Sequence, residues 1–170
     1  IPERDKLSLV QICGEGGDAY VIQPDRTNYM MPNLISVLEN DKIQKIGHFL
    51  RFDKSALEYF LKCKIKNIFC TKIASKICRT YTDSHGLKNL VQEFCNKKLD
   101  KNQGSSDWNK NINDLNDKQL EYAANDVIYL HKIKNELEKM LIREERMDIY
   151  KRCIEFLDTR IELDQKGFKF

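Results

Sequence analysis

The stretch QLEYAANDVIYL, residues 119–130, decides how this chain is read. At about 100° per residue, Leu120, Ala123, Val127 and Leu130 fall on one face of a helix. Asn116 supplies an N-cap and Gln119 the far half of a capping box, so a helix is predicted from there to roughly residue 141. Leu137 and Leu141 prolong the apolar face; Glu121, Asn125, Lys132 and Lys139 make the polar one. Tyr122 and Asp126 are four residues apart and point the same way. Asp126 lies only about 60° from the centre of the apolar stripe. A carboxylate at that edge is costly unless a cation or hydrogen bonds compensate it. An arginine partner at the rim of a core is one explanation and a ligand site is another; the helix alone leaves both open.

A second carboxylate stands in KIGHFLRFDKSAL, residues 45–57. Asp53 follows an apolar, strand-like run and opens a helix with Ala56, Leu57, Phe60 and Leu61 inward. An aspartate there can cap the helix and complement its dipole. It can equally sit at the C-terminal edge of a strand, where α/β sheets place ligands. Two such aspartates converging would repel unless a divalent cation lay beside them.

The rest of the chain supplies an alternating pattern. LSLVQIC (7–13) and AYVIQP (19–24) flank GEGGD (14–18), a hairpin signal. The glycines there lack the Gly-Lys-Ser/Thr ending of a phosphate loop. Helical spacing covers 31–40, strand-like runs cover 43–49 and 67–70, and further helices are predicted at 71–79 and 84–96. Residues 97–117 are polar and irregular, the longest loop-like stretch, and loops of that length are often functional. A final amphipathic helix follows residue 142. The pattern is that of one α/β domain.

Composition narrows the classes. Of 170 residues, 41% are hydrophobic and 32% charged, as in ordinary globular proteins. No run of 18 apolar residues exists, so no spanning helix or membrane role is expected. A net charge of +3 tolerates a nucleic-acid partner without demanding one. The six cysteines have no metal-ligand spacing and read as reduced thiols in the cytoplasm.

HFLRFDKSAL and YAANDVIYL resemble the second and third motifs of the DEDD 3′–5′ exonucleases, the latter the Tyr-x-x-x-Asp form. The likeness is greatest to the ribonuclease D group. It continues through TKIASKICRTYTDSHGLKNLVQEF and LDKNQGSSDW, and so covers nearly the whole chain. It implies an α/β, RNase H-like fold with a mixed central β-sheet flanked by α-helices. It also implies a two-metal site of Mg2+ or Mn2+. In that resemblance Asp126 holds the metal that activates water, Tyr122 orients the water, and Asp53 holds the second ion. The family's first motif, Asp-x-Glu, would lie on the central strand that precedes LSLVQIC, ending just ahead of residue 1. The chain begins where that motif ends, so activity of these 170 residues alone is not expected. Nor does the C-terminal helicase-and-RNase-D domain of full-length ribonuclease D follow, which points to a shorter, stand-alone relative.

The function so implied is removal of nucleotides from single-stranded RNA 3′ ends, such as tRNA precursors, with single-stranded DNA as the alternative substrate. A different class also fits: a non-catalytic nucleic-acid-binding or scaffold domain on the same fold. Candidate substrate contacts are His48, Phe49 and Leu50 beside Asp53, then His85, and then Gln103, Ser105 and Trp108 in the loop. Each has a plain alternative in packing. Phe49 and Leu50 can wedge a terminal base, and Trp108 can offer a stacking surface.

Overall fold

Among the residues that the computed structural model describes (6–100, 104 and 106–169), the chain opens with the hairpin its turn signal predicts. β1 (Val10–Cys13) pairs antiparallel with β2 (Ala19–Ile22), Val10 opposite Ile22. Gly17 takes a φ of 88°, open to a residue without Cβ, and its N–H donates to the Gly14 carbonyl at 3.1 Å. Residues 14–18 are therefore a hairpin turn. Helix α1 (Pro32–Glu39) starts on a proline, whose fixed φ and missing N–H suit the first helical position.

A βαβ unit comes next. β3 (Lys45–Gly47) leads into α2 (Leu50–Leu61) and then β4 (Ile68–Cys70), which lies parallel to β3 with Ile46 opposite Phe69. Helix α3 (Thr71–Cys78) leaves β4 directly, and α4 (Leu87–Cys95) follows. After a 3-10 turn at Ile112–Asp114 come α5 (Asp117–Asn125), α6 (Leu130–Arg143) and α7 (Met147–Gln165). Strands thus run in both directions, held among the described residues as two separate two-stranded sheets. β1 and β3 border a shared cavity.

Two boundaries differ from the sequence reading. Helix α2 starts at Leu50, not at Asp53, so Asp53 lies within the first turn and is not the cap. The cap position belongs to Phe49, in a left-handed conformation with φ 61° and ψ 46°. The helix expected over 116–141 is two helices. Its capping box is present: Asn116 accepts from the Gln119 N–H at 2.9 Å, and Gln119 accepts from the Asn116 N–H at 3.0 Å. After Asn125 the chain tightens. The Asp126 and Val127 N–H groups reach back three residues, to the Ala123 and Ala124 carbonyls at 3.3 and 3.0 Å. The β-branched pair Val127–Ile128 has low helix propensity and offers little resistance to the break.

The main core lies between α3, α4, α6 and α7. Leu90, Val91, Ile133, Leu137 and Leu141 are completely buried. Each such side chain contributes about 1.5–3 kcal/mol by leaving water. Tyr150 of α7 joins them and accepts a hydrogen bond from the Cys70 N–H at 3.0 Å, tying α7 to the end of β4. A second cluster, with Val10, Leu34, Leu38, Leu61 and Cys63, sits under the hairpin and α1.

Helix α2 is fastened to α7 by charge. Lys54 is buried and donates to Glu58 at 2.7 Å and Asp158 at 2.5 Å. A buried ammonium requires such partners. Arg51 forms a two-pronged pair with Asp164 at 2.5 and 2.6 Å. These contacts fix the rotation of α2 and leave Asp53, Ala56 and Leu57 on the cavity side.

Candidate active site

The two aspartates singled out from the sequence meet at one cavity of 490 Å3. Asp53 arrives from the first turn of α2 and Asp126 from the break between α5 and α6. Val10 and Ile12 of β1 and Ile46 and Gly47 of β3 supply much of the apolar wall. The helix break has a geometric consequence: Asp126 caps the end of α5 and stands at the cavity instead of on a continuous helix face. Both carboxylates keep access to solvent through the open cavity, but protein atoms crowd them. Burial pushes Asp53 up to about 6, and the charge of Asp126 adds to that. Burial also raises Asp126.

A carboxylate whose proton affinity is raised by burial and by a neighbouring carboxylate, as at Asp53, is equally ready for another cation. Carboxylate oxygens are the hard donors that Mg2+ or Mn2+ takes. The pair therefore fits a divalent metal as part of a ligand set. Among the described residues, no group of three or more His, Cys, Asp or Glu side chains gathers around one point.

Tyr122 precedes Asp126 by one turn, is half-buried, and shares a second cavity of 350 Å3 with Asp126 and Trp108. The Trp108 ring lies nearly parallel to the Tyr122 ring, centroids 5.9 Å apart and planes 21° apart. Burial first, then the charges of Asp126 and Asp100, push the phenol upward, so it remains a protonated donor. The loop tryptophan thus packs on the candidate tyrosine.

His48 lines the first cavity but is held by protein. Its Nδ1 is 2.9 Å from the Thr71 hydroxyl, and a further hydrogen bond joins it to the His85 backbone. Burial and then Lys72 lower His48 to about 4, so it is neutral near pH 7. Phe49 and Leu50 also border the cavity. Leu50 folds over Gly47, where an added Cβ would overlap its side chain. The left-handed backbone at Phe49 costs about 1–2 kcal/mol and turns its ring outward. That ring meets Phe52 edge-on at 4.9 Å and carries the Lys72 ammonium 3.6 Å from its centre.

His85 does not border either cavity. Its Nδ1 lies 2.8 Å from the buried Ser75 hydroxyl. Buried Arg79 donates to Ser75 at 3.0 Å and to Glu93, leaving the Ser75 hydroxyl to donate to His85. His85 therefore braces the loop behind His48. Gln103 and Ser105 lie outside the described residues. Thr71, Lys72 and Arg79 went unnoticed in the sequence. The only signal for Arg79 was a charge at helical spacing after Ser75.

Comparison with known proteins gives the family. Residues 1–142 match the 3′–5′ exonuclease family. DNA polymerase I of Aquifex aeolicus is 34% identical over 139 residues, 81% of this chain and 22% of that protein. Ribonuclease D of Shewanella sp. is 29% identical over 147 residues, 84% of this chain and 35% of that protein. This chain thus spans little more than a third, at most, of the length of those relatives. The solved structure of Brucella melitensis NrnC is 46% identical, with a TM-score of 0.91 over 98% of this chain and 80% of that one. NrnC has also been solved with bound Mg2+ and bound to pGG. The α/β fold is RNase H-like, and the chain belongs to the 3′–5′ exonuclease family, in its ribonuclease D-like group.

Proposed function

We propose that residues 1–170 belong to one exonuclease domain of a protein that hydrolyses nucleotides from the 3′ ends of single-stranded RNA, with Mg2+ or Mn2+ held in part by Asp53 and Asp126. The observation that carries this reading is the convergence of those two carboxylates on one cavity, with Tyr122 beside Asp126, in a member of an exonuclease family. When bound, a pair of such ions supplies Lewis acidity that eases deprotonation of water and steadies charge on the leaving 3′ oxygen.

The chain's own side chains do the rest. Asp53 and Asp126 hold the cations from two elements whose separation is fixed, α2 by its charge clamp to α7 and Asp126 by its own backbone bonds. Tyr122 presents a neutral hydroxyl that orients the attacking water, and Trp108 holds the ring in place. Leu50 and Phe49 wedge against the terminal base, their backbone fixed by Gly47 and by the neutral His48–Thr71 contact. Water is excluded on the far side by Val10, Ile12 and Ile46.

Ribonuclease D as a relative supports RNA, and with it the tRNA-precursor expectation; NrnC bound to pGG supports short RNA ends, and we favour these. The DNA polymerase relative keeps single-stranded DNA as the competing substrate. We place the protein in the cytoplasm, consistent with its free cysteines.

The test is a degradation ladder from 5′-labelled single-stranded RNA incubated with the intact protein, Mn2+ or chelator, and an Asp126→Ala control. Metal-dependent shortening from the 3′ end, absent in the control, is expected. Retained RNA binding without shortening would reassign the domain as a non-catalytic binder. Faster shortening of DNA of the same sequence would reverse the substrate order.

A further inference from the structure

We infer that the groove between α3 and α7 is a track for single-stranded RNA upstream of the 3′ terminus, gripping its phosphates and stacking its bases. This rests on the reading of the site as an RNA 3′-end nuclease and extends it to a second surface.

The groove encloses 470 Å3 and is bordered by five cations, Arg51, Lys72, Lys76, Arg152 and Arg160, and by no carboxylate. Its floor is apolar: Phe156, Ile149 and Phe49 are 52%, 46% and 37% exposed. Phe49 belongs to both this groove and the cavity of Asp53 and Asp126, so the two surfaces are continuous.

Charge decides the class of occupant. Two aspartates pair with groove cations: Asp164 with Arg51 and Arg160, and Asp148 with Arg152. The groove lining itself presents cations and no carboxylate. The Arg152–Asp148 pair is loose, at 3.5 Å on an exposed face, and yields easily to a phosphate. Cations beside stacking surfaces are the usual grip on single strands. Lys72 resting on Phe49 and Lys76 one turn later along α3 fit the second description.

The experiment uses the intact protein and the double variant Lys76→Glu/Arg152→Glu, neither residue being part of the candidate active site. Rates are measured on a labelled RNA dinucleotide and a dodecamer at low and high salt. Anisotropy gives dodecamer affinity in chelator, and a thermal melt checks the fold. On the dodecamer, kcat/KM and affinity are expected to fall about tenfold or more, with the slope of log K against log salt flatter by about 0.7 for each lost phosphate contact. The dinucleotide rate stays unchanged. Equal loss on both lengths, or loss on neither, overturns the track. A change in sedimentation mass without a length-dependent RNA effect also overturns it and gives the face to a protein partner. If the parent cleaves neither RNA, the nuclease reading fails by itself, and the anisotropy comparison still decides the groove.

Discussion

The two apolar clusters of this molecule are built to different standards. Around α3, α4 and α6, six apolar side chains have no exposure at all, and polar groups such as Thr71 and Ser75 are completely buried with partners. In the cluster under the hairpin and α1, the best-covered side chain, Leu61, keeps 4% exposure and the rest keep 7–8%. A 490 Å3 cavity opens beside it. The candidate carboxylates stand at the loose side, and the struts that aim them come from the tight side. Close packing sets position, and open packing leaves room for ions, water and a nucleotide. The following expectations test that division of labour.

The largest effect belongs to Asp126. Replacing it with alanine removes the proposed cation ligand from the open side, where no buried partner is left stranded. Turnover in the intact protein is expected to fall by about 10⁴ or more, the scale of losing an essential member of a catalytic unit. The thermal midpoint should hardly move. A rate within tenfold of the parent would separate Asp126 from the chemistry. Tyr122→Phe comes next: losing only the hydroxyl is expected to slow turnover by about 10²–10⁴ with little change in KM. The stack on Trp108 survives because the ring remains. An unchanged kcat would reject the water-orienting role.

The packing contrast itself can be broken by a matched pair. Leu137→Ala, in the cluster with no exposed members, is expected to cost near the upper end of about 2–5 kcal/mol. Leu38→Ala, beside the cavity, is expected near the lower end because the site can relax. Urea melts of both variants measure this. Equal costs would mean that the two clusters are equivalent and that the cavity is filled.

What could be read beforehand follows the same line. The hairpin, the alternation of strands and helices, and the Asn116 capping box are local, and each left a local mark in the sequence. The break at 126–129 left none, because Val127 and Leu130 keep helical spacing across a turn that is no longer helical. Phe49 in a left-handed conformation was equally hidden, as the side chain alone gives no hint of positive φ. Lys54 reads as a surface charge until Asp158, 104 residues away, is brought to it. The convergence of Asp53 and Asp126 is of this non-local kind. Residue patterns left each of them a cap or a rim charge, and only likeness to a family joined them. Trp108 was legible as a stacking surface, but that its partner is Tyr122 depends on how an aperiodic loop closes.

The smallest expected effect concerns the cost of a charged Asp53, which burial and then the neighbouring Asp126 impose. Asp53 sits near 6 in the folded protein, against about 3.9 when unfolded. Below pH 4 both states carry the proton, and the site costs nothing. Between about 4 and 6 the unfolded chain has lost a proton that the folded one still holds, so stability falls as pH rises. Above 6 that loss is complete. Because Asp53 is open to solvent, screening reduces the effect to about 1 kcal/mol, or about 2–4 °C in Tm for a chain of this size. Carboxylates lowered by cations, such as Asp164 and Glu93, act in the opposite sense, so the parent must be compared with a variant. In chelator, Asp53→Asn is expected to melt higher than the parent at pH 7 and equal to it near pH 4. Saturating Mg2+ should close that gap by stabilising only the parent, since the cation offsets the burial and repulsion of a charge that the substitution removes. A variant that melts lower than the parent at pH 7 would show that Asp53 is a structural anchor of α2, and the division between a rigid frame and an open, charge-strained site would not hold.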